Sequence, residues 1–156
     1  MRILLVALLL FLAGCGYHSV DLPLSSKQKS CEALHIQNRM QDPWLLGYIY
    51  RHKKIVGQIR LKQDIVGYLK TLLPCTPLDI VIQEFTMRYL PDLKGPNLWA
   101  RLTLKVTIRR PNHLWIKDIL VVRKERVGWG YQKALTHIAK QMLQEAAKEI
   151  KRVAKE

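Results

Sequence analysis

Residues 98–109 alternate strictly between apolar and polar side chains. The apolar positions recur at every second residue, and the positions between them carry Trp99, Arg101, Lys105, Arg109 and two threonines. Because successive side chains of a β-strand point to opposite faces of a sheet, this period predicts an antiparallel strand with one covered face. The opposite face of this strand is basic and carries a tryptophan.

Two other segments repeat their apolar residues at intervals of three and four, which is the spacing of one face of an α-helix. The first is residues 59–73, where Pro74 ends the pattern, and the second begins at Tyr131 and continues to the carboxyl end. These segments predict a central helix and a long amphipathic C-terminal helix. We expect both apolar stripes to face the core.

Three further segments, 33–39, 78–90 and 114–127, are rich in β-branched and aromatic residues and predict strands. The intervening residues 41–58 contain Gly47 and Gly57 as breaks and an apolar patch at 44–50, and we interpret them as a hairpin or a docking loop. The predicted fold class is therefore α+β. We expect a two-layer sandwich, in which a mixed sheet of about four strands carries both helices on one face.

The amino terminus has the pattern of an export signal. Arg2 precedes the uncharged apolar run 3–12, which is too short to span a bilayer but has the length of a signal-peptide core. The residues LAGC that follow match the bacterial lipobox, in which the cysteine, here Cys15, is lipidated and becomes the first mature residue. The alternative is a buried N-terminal strand or helix that carries a cysteine.

This pattern divides the chain into a lipoprotein signal peptide (1–14), a lipidated N-terminal tether (15–30) and a single α+β periplasmic domain (31–156). Several acyl chains on one cysteine anchor a protein stably, whereas a single chain binds a membrane only marginally. Gly16 stands where enterobacterial lipoproteins retained at the inner membrane carry aspartate. We therefore expect attachment to the outer membrane, facing the periplasm.

The chain is strongly basic, with 26 Lys and Arg against 12 Asp and Glu and a formal net charge of +14. In a cytoplasmic protein this balance would favour a nucleic-acid partner. The export signal excludes that interpretation, and we expect anionic lipid headgroups, above all phosphorylated glycolipid, as partners. A solvated surface rich in Lys and Arg is the alternative.

Cys31 and Cys75 are the two cysteines that remain beside Cys15. Neither belongs to a C-x-x-C pair, so a zinc or redox motif has no support. An even pair in an oxidising compartment favours a disulfide, with two buried free thiols as the alternative.

Residues 14–18 read GCGYH. With this start, a central helix, consecutive strands that end near 114–115 and a long C-terminal helix, the chain resembles the lipopolysaccharide-assembly lipoprotein family (LptE). The resemblance implies an outer-membrane lipoprotein that plugs and supports the β-barrel translocon assembling lipopolysaccharide, and that binds lipopolysaccharide itself. The alternative is a periplasmic auxiliary lipoprotein of an inter-membrane, ABC-type lipid transport system, and a peptidoglycan or stress lipoprotein is a third possibility.

Cations beside an aromatic residue suggest where a phosphorylated lipid binds. Arg offers paired hydrogen bonds to phosphate, Lys offers a point charge, and tryptophan packs against sugar or acyl groups. The expected lipopolysaccharide-phosphate site comprises Trp99, Arg101, Lys105, Arg109, Lys117 and Arg123. The alternatives are a solvated sheet face and a face that packs on a barrel wall.

Motifs of catalysis and metal binding do not occur in the sequence. None of the five histidines belongs to an H-E-x-x-H motif, and there is neither a G-x-S-x-G nor a glycine-rich phosphate loop. We therefore expect no enzymatic activity, no metal site and no cofactor.

Overall fold

The computed structural model describes residues 18–24, 31–92, 95–126 and 131–155. The described residues form seven strands and two helices: β1 (His18–Leu22), β2 (Leu34–Asn38), β3 (Leu45–Arg51), β4 (Lys54–Leu61), α1 (Ile65–Leu72), β5 (Leu78–Asp92), β6 (Gly95–Arg110), β7 (His113–Arg126) and α2 (Tyr131–Lys155). The expected signal peptide (1–14) and the lipidation site Cys15 lie outside the described residues.

All seven strands belong to one mixed sheet in the order β1-β4-β3-β5-β6-β7, with β2 paired to β5. Strand β6 occupies one edge of β5 along almost its whole length. The other edge of β5 is divided, because β2 pairs in parallel with its first residues and β3 pairs in parallel with residues 87–89. This divided edge allows seven strands to form a sheet that is six strands wide.

The expectation of about four strands is wrong, although the α+β class is retained. The strands that the sequence analysis did not count are β1, β3 and β4. Strand β1 lies within the segment 15–30 that was expected to be a tether, and it pairs in parallel with β4. Strands β3 and β4 form an antiparallel hairpin from the segment that contains the apolar patch 44–50.

Gly47 and Gly57 lie within strands, at positions where two backbones approach closely. A Cβ atom on Gly47 would lie 1.9 Å from the carbonyl oxygen of Met87, and one on Gly57 would lie 2.4 Å from that of His18. Gly47 also has a φ of +154°. The two glycines therefore permit the contacts of β3 with β5 and of β4 with β1, and they do not interrupt the sheet.

Helix α1 is shorter than the sequence pattern predicts. The side chain of Asp64 caps its start by accepting a hydrogen bond of 3.0 Å from the backbone N–H of Val66. Ile59 and Leu61 belong to β4, where they lie opposite residues of β1. Their spacing from Ile65 matches a helical period by coincidence, which is why the predicted helix began too early.

The core lies between one face of the sheet and the two helices. Helix α1 contacts β2, helix α2 contacts β1, β6 and β7, and the helices contact each other. The inward side of β6 supplies fully buried side chains, and so does the predicted stripe of α2. The buried members of that stripe are Leu135, Ile138, Met142, Ala146, Ile150 and Val153.

A disulfide joins Cys31 to Cys75, with an S–S distance of 2.02 Å and a Cα–Cα distance of 5.6 Å. The two cysteines precede β2 and β5, and these strands start side by side because Leu34 pairs with Leu78 in parallel register. The bond therefore connects the two strand starts at one end of the sheet. It encloses a segment that contains β2, β3, β4 and α1.

Replacing both cysteines (Cys31→Ser with Cys75→Ser) is expected to lower the free energy of unfolding by about 4 kcal/mol, because the bond restricts the unfolded chain across a separation of 44 residues. Urea denaturation of the wild-type protein and the variant measures this difference. The wild-type protein under reducing conditions should unfold at the same urea concentration as the variant. Equal stability of the oxidised wild type and the variant would contradict the prediction.

The substitution Gly47→Ala is expected to destabilise the fold by at least about 2 kcal/mol, because the new methyl group collides with the carbonyl of Met87 and the backbone conformation is strained for alanine. Gly67→Ala is the matched control. Gly67 lies inside α1, where alanine has the higher helix propensity, so this change should be neutral or stabilising. Thermal unfolding of both variants measures the two changes in stability. Equal destabilisation by both substitutions would contradict the role assigned to Gly47.

Candidate functional site

One face of the sheet lies away from the helices. On β6 the residues at even positions from Leu98 to Ile108 are buried on the helix side, and the residues between them point the other way. We call this second side the open face and define it by the outward residues of β5, β6 and β7. The side chains of Arg101 and Arg109 are 44% and 76% exposed there.

The open face brings together four of the six residues proposed from the sequence. Trp99, Arg101, Lys105 and Arg109 occupy alternate positions on the outward side of β6, as the period of two predicted. They therefore form one strip parallel to the axis of β6. This strip runs along most of the length of β6.

Lys117 and Arg123 do not lie on the open face. They pair with Val106 and Ala100 of β6, whose side chains are buried on the helix side. Because directly paired residues of neighbouring strands share a face, Lys117 and Arg123 point toward α2. The structure thus does not assemble the six proposed residues into one site.

Arg123 forms ion pairs with two carboxylates, which give it a structural role. Its guanidinium lies 3.0 Å from a carboxylate oxygen of Glu145 on α2 and 2.6 Å from one of Glu125 on β7. The hydrogen bond to Glu125, followed by that to Glu145, raises the pKa of Arg123 above its ordinary value. Arg123 therefore connects the last strand to the C-terminal helix.

Lys117 lies near the carboxylate of Glu149 on α2. The hydrogen bond from Arg152 lowers the pKa of the Glu149 carboxyl below its ordinary value, and the charges of Arg152 and Lys117 lower it further. A cation that interacts with Glu149 in this way is directed to α2. It is not available to a ligand on the open face.

Carboxylates accompany the cations of β6 on the open face. Arg101 forms an ion pair of 3.4 Å with Glu84, and Arg109 forms one of 2.9 Å with Asp79. Lys105 lies opposite Asp118 in the register of β6 and β7. These neighbours offset the positive charge that the sequence of β6 suggests when it is considered alone.

Two cations that the sequence analysis missed flank Trp99. The guanidinium carbon of Arg88 lies 5.5 Å from the centre of the Trp99 ring, which is the geometry of a cation–π contact. Lys124 lies opposite Trp99 on the other side, in β7. Within the described part of the chain, neither cation forms an ion pair with a carboxylate.

These residues belong to one row that crosses the sheet. Consecutive pairings place residues of β1, β4, β3, β5, β6 and β7 side by side. We call this the Trp99 row, and its members are Ser19, Gln58, Tyr48, Arg88, Trp99 and Lys124. The row begins one residue after the start of β1.

An apolar strip adjoins the cations on the open face. We call it the β7 stripe; its members, with exposed fractions of 50% to 62%, are Leu114, Ile116, Leu120 and Val122. Val122 lies directly opposite Arg101. Exposed apolar side chains beside cations form an amphipathic surface, which favours contact with an acylated anionic ligand.

Other kinds of site find no support in the described residues. They contain no group of three or more His, Cys, Asp or Glu side chains that could hold a metal ion. Neither helix has the combination of length and apolar character that crossing a bilayer requires.

Comparisons with known proteins add little to this geometry. No protein-family model matches the chain, and no curated protein matches it. A solved structure described as "Crystal structure of uncharacterized protein" shares 12% sequence identity, with 88% of this chain and 99% of that chain covered and a TM-score of 0.45. A likeness at this level supports no conclusion about fold or function.

Proposed function

We propose that the protein is a lipid-anchored outer-membrane lipoprotein that supports the β-barrel translocon assembling lipopolysaccharide. It faces the periplasm and binds lipopolysaccharide phosphate through its open face. The observation that carries the binding proposal is the Trp99 row, which sets two cations beside a tryptophan. The barrel partner is proposed from the resemblance of the GCGYH start, and neither an enzyme nor a nucleic-acid ligand is part of the proposal.

The position of the anchor supports a membrane-facing role for this row. Ser19 is the fourth residue after Cys15, so the Cα atom of Cys15 can lie no more than about 14 Å from the row. The row then crosses five strand spacings, about 24 Å, to reach Lys124. Lipidation would therefore keep the β1 end of the row within about 14 Å of the anchor point and the whole row within about 38 Å of it.

The hairpin between β3 and β4 lies at the same end of the sheet. Strand β4 begins beside the start of β1, since Gly57 pairs with His18. The hairpin tip, residues 51–54, reads RHKK and is exposed throughout. Three more cations therefore lie near the proposed anchor, and they favour an anionic membrane surface over a neutral one.

The chemistry of the row suits a phosphorylated and acylated glycolipid. Arg88 and Lys124 can hydrogen-bond phosphate without first breaking an ion pair, whereas Arg101 and Arg109 must share their charge with Glu84 and Asp79. The Trp99 ring and the β7 stripe provide apolar contact for sugar and acyl groups. We therefore assign the main phosphate contacts to Arg88 and Lys124, with Arg101 and Lys105 contributing less.

Charge reversal at the row (Arg88→Glu with Lys124→Glu) is expected to weaken lipopolysaccharide binding by at least about tenfold, because two charge-assisted contacts to phosphate are lost. The reversal Arg101→Glu with Lys105→Glu should weaken it less. Lys133→Glu with Lys148→Glu, two exposed positions on α2, is the control with the same change in net charge. Equilibrium binding of purified lipopolysaccharide and of a dephosphorylated preparation measures the effect. The row is not the site if all three variants bind alike, or if the wild type does not prefer the phosphorylated form.

Purification of the native lipoprotein from detergent-solubilised envelopes is expected to recover a large outer-membrane β-barrel protein. A chain without the lipobox cysteine (Cys15→Ala) should remain unlipidated and recover less of it, because it is no longer held at the outer membrane. Mass spectrometry of the recovered proteins identifies which membrane protein co-purifies with the lipoprotein. Recovery of an inner-membrane transporter without a barrel would reject the proposed support role and favour the transport-auxiliary alternative.

A further inference from the structure

Strand β7 has an unpaired edge. It ends the strand order of the sheet, and its only strand partner among the described residues is β6. The 14 residues of β7 therefore present one row of backbone N–H and C=O groups to solvent. An exposed edge of this length is a template for pairing with another strand.

Helix α2 leaves this edge accessible. An open groove separates β7 from the C-terminal half of the helix, and its lining includes Ile119, Val121, Lys148 and Glu149. On the other side of the sheet the β7 stripe is exposed as well. A strand added to β7 would meet no obstacle from the described parts of the chain at these positions.

We propose that β7 pairs antiparallel with β7 of a second copy of this chain, in the register that sets Val121 opposite Val121. A two-fold axis through that pair places Asp118 opposite Lys124 on the open side and Lys117 opposite Glu125 on the helix side. Symmetry repeats both contacts, so four pairs of opposite charges form across the new ladder. Opposite charges directly across an antiparallel ladder stabilise it.

Apolar contacts reinforce this register. Leu120 of each copy lies opposite Val122 of the other, so the two β7 stripes join across the axis on the open side. Both residues are at least half exposed in the single chain. Pairing the copies would remove this apolar surface from water, which is a further driving force for association.

The neighbouring registers lack this complementarity. A two-fold axis at Leu120 places Lys117 opposite Arg123, and an axis at Asp118 brings two aspartates together. An axis at Ile119 forms no opposite-charge pair, and an axis at Val122 forms only that of Asp118 with Arg126, which symmetry repeats, against four pairs in the Val121 register. The charge pattern of β7 therefore selects one register, as expected for an isologous interface. In the single chain Glu125 already contacts Arg123, so the new contacts extend an existing ion pair.

Cysteine cross-linking of the full-length lipoprotein in intact envelopes tests the register. Val121→Cys should form a disulfide-linked dimer under mild oxidation, because only this residue faces its own copy. Ile116→Cys is the control; it faces Arg126 and should not cross-link to itself. Because Val121 is buried, a pair of exposed variants provides a second test: mixed Leu120→Cys and Val122→Cys chains should cross-link to each other.

A charge exchange tests the association itself. Asp118→Lys alone and Lys124→Asp alone should each weaken the dimer of the detergent-purified chain by about tenfold, and the double variant should restore it. Lys62→Asp, on the exposed surface away from β7, should leave the dimer unchanged. Sedimentation equilibrium measures the dissociation constants.

Two outcomes overturn the proposal. One is a purified chain that stays monomeric up to about 100 μM, a concentration at which only an interaction weaker than about 5 kcal/mol escapes detection. The other is a cross-link from position 120 or 121 to a different protein and none to a second copy. The dimer and the proposed lipid site share Lys124 and the β7 stripe, and the Val121→Cys cross-link distinguishes them because Val121 takes no part in the lipid site.

Discussion

The fold depends on the way in which β5 shares its two edges. Strand β6 occupies one edge, and the other is divided between β2 and β3, which both run parallel to β5. The pairing of β3 with β5 requires a residue without a side chain at position 47, since a Cβ atom on Gly47 would overlap the carbonyl of Met87. Without that pairing the hairpin of β3 and β4 would lose its place in the sheet, and β1 would lose β4, its only strand partner in the described part of the chain.

Sequence patterns predicted the elements whose side chains alternate or repeat regularly. The clean alternation of β6 and the stripe of α2 each depend on a single buried face, and both faces are buried in the structure. A hairpin was only one of two interpretations of the segment that forms β3 and β4, because glycines in a strand can mark either a break or a close backbone contact, and only the neighbouring strand distinguishes them. For Gly47 the neighbouring strand contains Met87, which lies far along the chain from it.

The candidate site shows a different limit. Only two residues separate β5 from β6 and β6 from β7, so hairpin register could have identified Arg88 and Lys124 as the neighbours of Trp99. The same register would have removed Arg123 from the site, because odd positions of β6 pair with even positions of β7. The charge of Asp79, in contrast, could not be assigned to the open face before the irregular register between residues 82 and 84 was known, whereas Glu84 keeps the register of the hairpin.

Strand β1 also determines how the protein carries mechanical load. A lipid on Cys15 would pull on the first residue of a strand whose only strand partner among the described residues is β4. When the pull follows the strand axis, all the hydrogen bonds between β1 and β4 share the force at once, whereas a pull at right angles would break them one after another. For a chain anchored at Cys15 as proposed, the orientation of the sheet on the membrane would therefore decide whether the anchor holds a rigid domain or peels off its first strand.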